Sequence, residues 1–438
     1  MREMKDSGIE WIGEIPQKWF CHSLNVIIIQ NDGGIWGDDP IDDDGEIVLR
    51  STEQTIDGKW NIISPAKRDL SKISNKAYYL CKKNDLLITK SSGSNLHIGK
   101  TSIVDDIIEK KQCYYSNFIQ RIRLSQSVSV KYYWYILNSD ISRSQFTYMQ
   151  NTTSGIGNLN AKHIANLIVP KPPIQEQYCI EKYLNVKCAE IDNVIEKTRI
   201  SLEEYKKLKQ AVIKQAITKG VRSDRKMKDS GSVWFGNIPF DWDMRKIKFL
   251  FKIKKNIAGE EGHTVLSITQ RGIVPKDISK NEGQLAESYA NYQLVDSGDF
   301  AMNHMDLLTG WVDISKYSGV TSPDYRVFSL INENNNRQYY LYLMQMCYTN
   351  KIFYGLGQGV SGLGRWRLQA DKFMNFAVAV PPLDEQMEIA EFLDDKINEL
   401  DCLIQKKEQY LVEIENYKKS LIYEYVTGKK EVPQEYKV

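Results

Sequence analysis

The sequence predicts an α+β protein in which two α/β domains are separated by two long helices that pair as an antiparallel coiled coil. Two internal repeats and one hydrophobic pattern lead to this prediction. Residues 172–220 return as 381–429, shifted by 209 positions without a gap, and residues 4–19 return as 227–242, shifted by 223. A chain that contains one module twice is expected to form two halves with a pseudo-two-fold relation.

The long repeat has the hydrophobic pattern of a coiled coil. Each copy opens with a proline pair, which suits the start of a helix, and then runs for about 40 residues without another proline. Apolar residues recur at alternating steps of three and four, which is typical of a coiled coil. This seam includes Leu184, Ile191, Ile195, Leu202, Leu393, Ile397, Leu400, Ile404 and Leu411. Lys209 and Lys418 interrupt it at equivalent positions, where a polar residue can fix register and partner.

The short repeat is interpreted as a docking arm without chemistry of its own. Ten of its sixteen positions are identical between the two copies, and the identities include glycines, a proline and two tryptophans. Glycine and proline fix turns, while Trp19 and its counterpart Trp242 can anchor the segment on a core.

The repeats divide the chain into framework segments and two variable blocks. The predicted segments are the framework motif 1–19, a first block 20–171, a long helix and linker 172–226, the repeated motif 227–242, a second block 243–380, and a second long helix with its tail 381–438. Each block has ordinary domain size, yet the two share little sequence. Strands are predicted at 46–53, 85–91, 118–124, 263–270, 298–303 and 325–331, and helices at 132–149 and 338–350.

Composition limits the partners and the compartment. The chain has 58 basic and 56 acidic residues, whereas a dedicated nucleic-acid binder usually has a clear basic excess. DNA binding would therefore require basic residues sorted onto one face, or a partner that contacts many phosphates. Seven scattered cysteines without a CxxC pair argue against a zinc site and for a reducing compartment. With neither an apolar span nor a secretory segment, the expected location is cytoplasmic.

Polar and basic residues gather near Gly-rich turns in both blocks and are the candidate DNA contacts. They are Lys90, Ser91, Ser92, Asn95, His97, Lys100, Arg271, Asn303, His304, Arg365 and Arg367. Phosphates and base edges require this mixture of donors and acceptors. The alternatives are a polar turn after a strand, a linker turn, and arginines that cover an apolar surface.

Motifs that would indicate catalysis or nucleotide binding are incomplete. Gly93 and Gly99 enclose five residues where a phosphate loop has four. Gly357, Gly359 and Gly362 match GxGxxG but follow a helical, aromatic run rather than a first strand. The sequence contains neither HExxH nor GxSxG, and its histidines and cysteines form no metal-binding pattern. We therefore predict no catalytic residue, no metal and no cofactor bound by this chain.

The order of these motifs resembles the specificity subunit of Type I restriction–modification systems. Each variable block is preceded by KDSGxxWxGxIPxxW and followed by PPxxEQ and a long helix that ends in ITKG or VTGK. The resemblance covers nearly the whole chain, and in the blocks it concerns placement and length only.

The resemblance implies a function for each part. Each block would be a target-recognition domain that reads one half of a split, asymmetric DNA site, and the coiled coil would set the gap between the halves. The frame would dock two methyltransferase subunits, which bind S-adenosylmethionine and methylate adenine. A restriction subunit that uses ATP and Mg would join the complex. The alternative is a duplicated coiled-coil scaffold that binds protein or carbohydrate partners without DNA specificity.

Overall fold

A computed structural model describes residues 2–41, 44–94, 96–149, 151–153, 156–278, 286–360 and 365–437, without the side chains of residues 151–153, 156–157, 360 and 365. The chain forms two compact units. Unit 1 contains Met1–Thr198 and Gln409–Val438, and unit 2 contains Arg199–Glu408. Both long helices therefore contribute residues to both units.

Unit 1 contains the first block and two framework pairs of strands. Its strands are β1 Met4–Asp6, β2 Glu14–Pro16, β3 Phe20–Ser23, β4 Ile28–Gly33, β5 Glu46–Leu49, β6 Ala66–Arg68, β7 Leu86–Thr89, β8 Ser91–Ser92, β9 Thr101–Ile103, β10 Tyr114–Tyr115, β11 Ile119–Leu124, β12 Asn151–Thr153, β13 Ile156–Asn158 and β14 Ile168–Lys171. Its helices are α1 Asp106–Lys110, α2 Val130–Asn138, α3 Asp140–Met149, α4 Ala161–Ala165 and the first part of α5 Ile174–Lys219.

Unit 2 has the corresponding elements for the second block. Its strands are β15 Met227–Asp229, β16 Asn237–Pro239, β17 Asp243–Lys246, β18 Phe251–Lys254, β19 Leu266–Thr269, β20 Gly272–Pro275, β21 Gln293–Val295, β22 Phe300–Met302, β23 Val312–Ile314, β24 Gly319–Thr321, β25 Arg326–Leu330, β26 Gln358–Val360, β27 Arg365–Arg367 and β28 Ala377–Val380. Its helices are α6 Arg337–Thr349, α7 Ile352–Leu356, α8 Ala370–Asn375 and part of α9 Leu383–Val426.

The two blocks share a topology although their sequences differ. In unit 1 a four-stranded antiparallel sheet has the order β4-β11-β7-β9, and in unit 2 the equivalent order is β18-β25-β22-β23. A framework hairpin precedes each sheet, as β1-β2 and β15-β16. The strand that leads into each block pairs with the strand that leaves it, as β3-β14 and β17-β28.

The predicted strands and helices of the blocks are confirmed where periodicity was clear. The runs at 85–91, 118–124, 298–303 and 325–331 form the central sheet strands, which are largely buried. The run at 46–53 is a strand only to Leu49, and the run at 263–270 forms β19. The side chains of Ser129 and Asn336 cap α2 and α6 by accepting hydrogen bonds from backbone N–H groups.

The Glu-Gln pair of the long repeat joins three parts of unit 1. Glu176 Oε2 accepts a hydrogen bond from the indole Nε1 of Trp19 at 2.8 Å, and its other oxygen accepts one from Arg2. Gln177 accepts a hydrogen bond from the backbone N–H of Ser129 at 2.9 Å and donates to the carbonyl of Pro172 at 2.9 Å. One turn of α5 thus forms hydrogen bonds to the framework motif, to the start of α2 and to the proline pair that precedes α5.

Unit 2 repeats these contacts with equivalent residues. The indole of Trp242 donates to Glu385 Oε2 at 2.8 Å, and Arg225 donates to both oxygens of the same carboxylate. Gln386 accepts from the backbone N–H of Asn336 at 3.1 Å and donates to the carbonyl of Pro381 at 3.0 Å. Glu385 and Trp242 are fully buried. We call each set of contacts around Glu176 or Glu385 a clamp.

A glycine after each long helix makes room for the clamp tryptophan. Gly220 and Gly428 both have positive φ, +73° and +71°, which suits the residue that follows a helix C-terminus. A Cβ on Gly220 would lie 2.4 Å from Glu385 Oε1 and 3.2 Å from the Trp242 ring. A Cβ on Gly428 would lie 2.8 Å from the Trp19 ring. These contacts explain the glycine of the repeated ITKG and VTGK endings.

Within each unit the segments of α5 and α9 run antiparallel and share a polar pair in the seam. In unit 1, the rings of Tyr183 and Tyr425 pack at a tilt of 40° with their centroids 4.4 Å apart, and Lys418 donates to Asp192 at 2.5 Å. In unit 2, Lys209 Nζ lies 2.7 Å from both oxygens of Asp401. The lysines predicted to interrupt the seam therefore each meet an aspartate, and the two pairs are related by the same 209-residue shift.

The first prediction concerns the clamp of unit 2. Replacing Glu385 with alanine leaves the Arg225 guanidinium and the Trp242 indole N–H without their acceptor, and we expect a loss of roughly 3 kcal/mol in the free energy of unfolding. Urea denaturation followed by tryptophan fluorescence measures it. The matched control is Glu388→Ala, which removes an exposed partner of Arg222 and should change little. Equal stability of both variants would contradict the clamp.

The second prediction concerns the register of the helices in unit 2. Lys209→Glu should destabilise the protein because it places like charges together, and adding Asp401→Lys should restore the pair. We expect a coupling of about 0.2–1 kcal/mol in a double-mutant cycle, since both side chains are partly exposed. Exposed Lys406 provides the control, because Lys406→Glu should not couple to Asp401→Lys. Additive effects for the Lys209 cycle would count against this register.

Candidate nucleic-acid interface

In the first block, Lys90 lies at the end of the central sheet within an amide network. Its half-buried ammonium is 3.4 Å from Gln120 Oε1, and Gln120 donates to Asn31 Oδ1 at 2.7 Å. Burial lowers the pKa of Lys90. Gly33 leaves space for this ammonium, because a Cβ there would lie 2.7 Å from Lys90 Nζ. The neighbouring Ser91 and Ser92 form β8 and are half-buried.

The prediction that Lys100 contacts DNA needs correction. Lys100 is 2 % exposed, and its ammonium donates to the carbonyls of Ser51 and Gln54, the latter at 2.8 Å. Burial lowers its pKa to about 8. Lys100 therefore fixes the turn internally, while half-buried His97 lies beside it with Nδ1 3.4 Å from the ammonium. Asn95, the remaining candidate of this turn, lies outside the described residues.

In the second block the candidates separate into exposed and buried groups. Arg271 is exposed in the turn between β19 and β20. Asn303 is half-buried and its Oδ1 caps a turn by accepting from the backbone N–H groups of Met305 and Asp306. Arg367 is exposed at the end of β27, and Arg365 lies in the same strand with its side chain outside the description.

The prediction that His304 contacts DNA also needs correction. His304 is 5 % exposed, and its pKa falls to about 3 because of burial and the nearby charges of Arg326 and Arg367. The imidazole is therefore neutral at physiological pH. His304 follows the end of β22 and is buried there, which the sequence pattern did not reveal.

Arg326 is a buried cation that the sequence analysis missed because it resembled an ordinary strand residue. It is 5 % exposed, donates to the carbonyl of Leu368 at 3.0 Å, and lies 4.9 Å from the centre of the Phe373 ring. Burial lowers its pKa to about 10. In the first block, Arg143 has a comparable role, since it donates to the carbonyl of Ile98 at 2.6 Å and burial lowers its pKa.

These cations have a different environment from the lysines and arginines that form ion pairs. Lys59 and Lys254 illustrate the common case, in which carboxylates raise the pKa of the ammonium. Within the described ranges, the cations of the two sheet ends, Lys90, Lys100, Arg143 and Arg326, form hydrogen bonds to neutral oxygens and no carboxylate ion pair. No carboxylate neutralises the charge of Lys90 or Arg326, so these two cations attract anions such as phosphate.

The candidate partner residues lie along α5 and α9. Leu184, Ile191, Ile195, Leu202, Leu393, Ile397 and Leu400 are buried in the seam, and Ile404 and Leu411 are half-buried. Both helices also expose apolar side chains, among them Tyr178, Val186, Ile200, Leu208, Leu383, Met387, Tyr410, Val412 and Tyr417. A protein-binding surface would require some of these side chains to form a contiguous apolar patch.

The described part of the chain shows neither a metal-binding cluster nor a membrane-spanning helix. No group of three or more His, Cys, Asp and Glu side chains is arranged to hold a metal ion. No helix among the same residues combines the length and the apolar character needed to cross a membrane.

Comparison with known proteins identifies the family. The family model described as "Type I restriction modification DNA specificity domain" matches residues 43–204 and 239–413. The chain is 26% identical over 375 residues to the Type I restriction enzyme MjaVIII specificity subunit of Methanocaldococcus jannaschii, covering 82% of this chain and 81% of that protein. It is 24% identical over 429 residues to the putative type I restriction enzyme MjaX specificity subunit of the same organism, covering 95% of each.

A solved structure supports the fold. The chain from a study of complex assembly and conformational transition of the type I R-M system matches with a TM-score of 0.69 and 12% identity, over 95% of this chain and 99% of that one. The family model covers well over half of the present chain in two copies. This chain therefore belongs to the family of Type I restriction–modification DNA specificity subunits.

Proposed function

We propose that this chain is the non-catalytic subunit that gives a Type I restriction–modification complex its DNA sequence specificity. Each block, 20–171 and 243–380, acts as a target-recognition domain for one half of a bipartite, asymmetric site. One observation carries this proposal. The two blocks share a sheet topology and framework, but they present different side chains at equivalent positions. One scaffold with two unlike surfaces suits a target whose halves differ.

The residues proposed to contact DNA are the candidates whose side chains are accessible in the structure. Exposed or half-buried candidates remain in the proposal, namely Lys90, Ser91, Ser92, His97, Arg271, Asn303 and Arg367, with Asn95 and Arg365 retained from the sequence. Lys100 and His304 are left out because their polar groups are buried. Lys90 and Arg326, whose charge no carboxylate neutralises, provide the sequence-independent attraction to phosphate, which explains how a chain of net charge +2 can bind DNA.

The long helices act as a spacer and as the docking site for other subunits in this proposal. A single antiparallel coiled coil of α5 and α9 separates the two recognition domains and relates the halves by a pseudo-two-fold axis. The equivalent pairs Asp192–Lys418 and Asp401–Lys209 support a common register. Two methyltransferase subunits dock on the exposed apolar residues of the helices, and restriction subunits join them. S-adenosylmethionine is bound by the methyltransferase partner, and ATP with Mg by the restriction partner.

The third prediction tests the spacer. A heptad inserted after Lys206, with a matching heptad after Cys402, keeps the seam in phase and lengthens the coil by roughly 10 Å, or about three base pairs of DNA. Mapping of methylated adenines in cells that express the variant with its methyltransferase should show a longer gap and unchanged half-sites. The control keeps the original length of both helices. In it, the seven residues that follow each insertion point are replaced by another heptad with the same apolar pattern. A gap of unchanged length would contradict the spacer.

The fourth prediction tests the independence of the blocks. Exchange of residues 243–380 for the corresponding block of another family member should replace one half of the methylated motif and preserve the other half and the gap. We expect this result because Glu385 and Gln386 of the clamp lie outside the exchanged block, and Gln386 accepts its hydrogen bond from a backbone N–H of the block. Changes in both half-sites would show that the blocks do not read DNA separately.

A further inference from the structure

The two blocks end in equivalent β-hairpins. β12 pairs with β13 and β26 pairs with β27, both antiparallel, just before the short helices α4 and α8. The residue after each hairpin is fixed to the end of the sheet, since Leu159 N–H donates to Lys90 O at 2.7 Å and Leu368 N–H donates to His304 O at 2.9 Å. The 209-residue shift of the long repeat extends back to this leucine and its predecessor.

Asn158 and Arg367 are therefore matched positions. Each is the last residue of its hairpin, and each side chain is exposed, although the following leucine is fully buried. The backbone positions of Asn158 and Arg367 are fixed, because the leucine that follows each of them is buried and forms a backbone hydrogen bond. The two positions thus have the same geometry and different hydrogen-bonding groups, an amide in unit 1 and a guanidinium in unit 2.

The surroundings of both hairpins favour DNA as the occupant. Lys90 lies beside the first hairpin, because Asn158 pairs with Ser91. Arg326 lies beside the second, since its guanidinium donates to Leu368 O at 3.0 Å. Both cations donate to neutral oxygens, so no carboxylate neutralises the positive charge at the base of each hairpin. A two-stranded ribbon fits the major groove, where base edges present a distinct pattern for each base pair.

We propose that Asn158 and Arg367 are the matched base-reading residues of the two blocks, with Asn158 contacting adenine and Arg367 contacting guanine in the major groove. An asparagine amide can bind adenine through N6 and N7, and a guanidinium can bind guanine through O6 and N7. This inference rests on the proposed function and adds to it the positions that distinguish the half-sites. The half-buried Lys90 and the buried Arg326 place positive charge at the base of each hairpin without reading a base.

The test uses the chain in complex with its methyltransferase subunit. The methylated motif of the unaltered complex is mapped first, and methylation rates are then measured on duplexes with each of the four base pairs at every position of the half-sites. We expect Arg367→Ala to reduce discrimination at one guanine on the order of 10- to 100-fold, and Asn158→Ala to do so at one adenine of the other half-site. Arg367→Lys should retain the preference for guanine, whereas Arg367→Gln should shift it towards adenine.

The controls are Lys372→Ala and Asn25→Ala, which remove exposed side chains of the same units outside the hairpins and should leave discrimination unchanged. Thermal unfolding verifies that all variants fold. An unchanged base preference in Arg367→Ala and Arg367→Gln, with a split motif in the unaltered complex, would overturn the inference and leave the proposed function standing. A uniform loss of rate across all four bases would assign Arg367 to phosphate and would also overturn it. A complex without any split motif would refute both.

Discussion

The structure of both units depends on two adjacent side chains at the start of each long helix. The glutamate accepts hydrogen bonds from a tryptophan of the short repeat and from an arginine two residues before that repeat, and the glutamine binds the first turn of a block helix. Glu385 is fully buried, and a buried carboxylate is stable only when its partners are in place, so in unit 2 the motif, the helix and the block must assemble together. The half-buried Glu176 makes the equivalent contacts in unit 1. This constraint explains why the Glu-Gln pair, the tryptophan and the terminal glycine recur together in both copies of the repeat.

The clamp also explains how the blocks can differ while their framework stays the same. The clamp glutamine, Gln177 or Gln386, accepts a hydrogen bond from a backbone N–H at the start of α2 or α6, and the strand pairs β3-β14 and β17-β28 join the two ends of each block. Backbone hydrogen bonds at these positions place little demand on side chains. The far end of the sheet is then free to vary, and there the first block contains Lys90 with the buried Gln120, whereas the second contains the buried His304 and Arg326.

The framework was predictable from the sequence because its signals are local or exactly repeated. The seam, the strands and the helix caps follow from periodicity and from residue types at fixed offsets. The burial of Lys100 and His304 was not predictable, since both lie close to a strand end, in backbone that has no sequence periodicity. The carbonyls that hold Lys100 come from residues more than 40 positions away. Asn158 could have been found, because the 209-residue shift continues to it.

Net charge gave little information about DNA binding for a related reason. Many lysines and arginines of this chain form ion pairs with carboxylates, so they add to the count without adding to the field at the surface. The cations that matter are those held by neutral oxygens, and recognising them requires the positions of their partners. A balanced composition is therefore compatible with a protein that attracts phosphate at two defined places.

The most direct test of the account is the methylation pattern that this chain directs. The unaltered chain would be expressed with its methyltransferase subunit in a host without adenine methylation, and the modified adenines would be mapped by sequencing. The account predicts one split motif, with two unlike halves around a gap of fixed length. Methylation without such a motif, from a complex that assembles and binds the methyl donor, would contradict it.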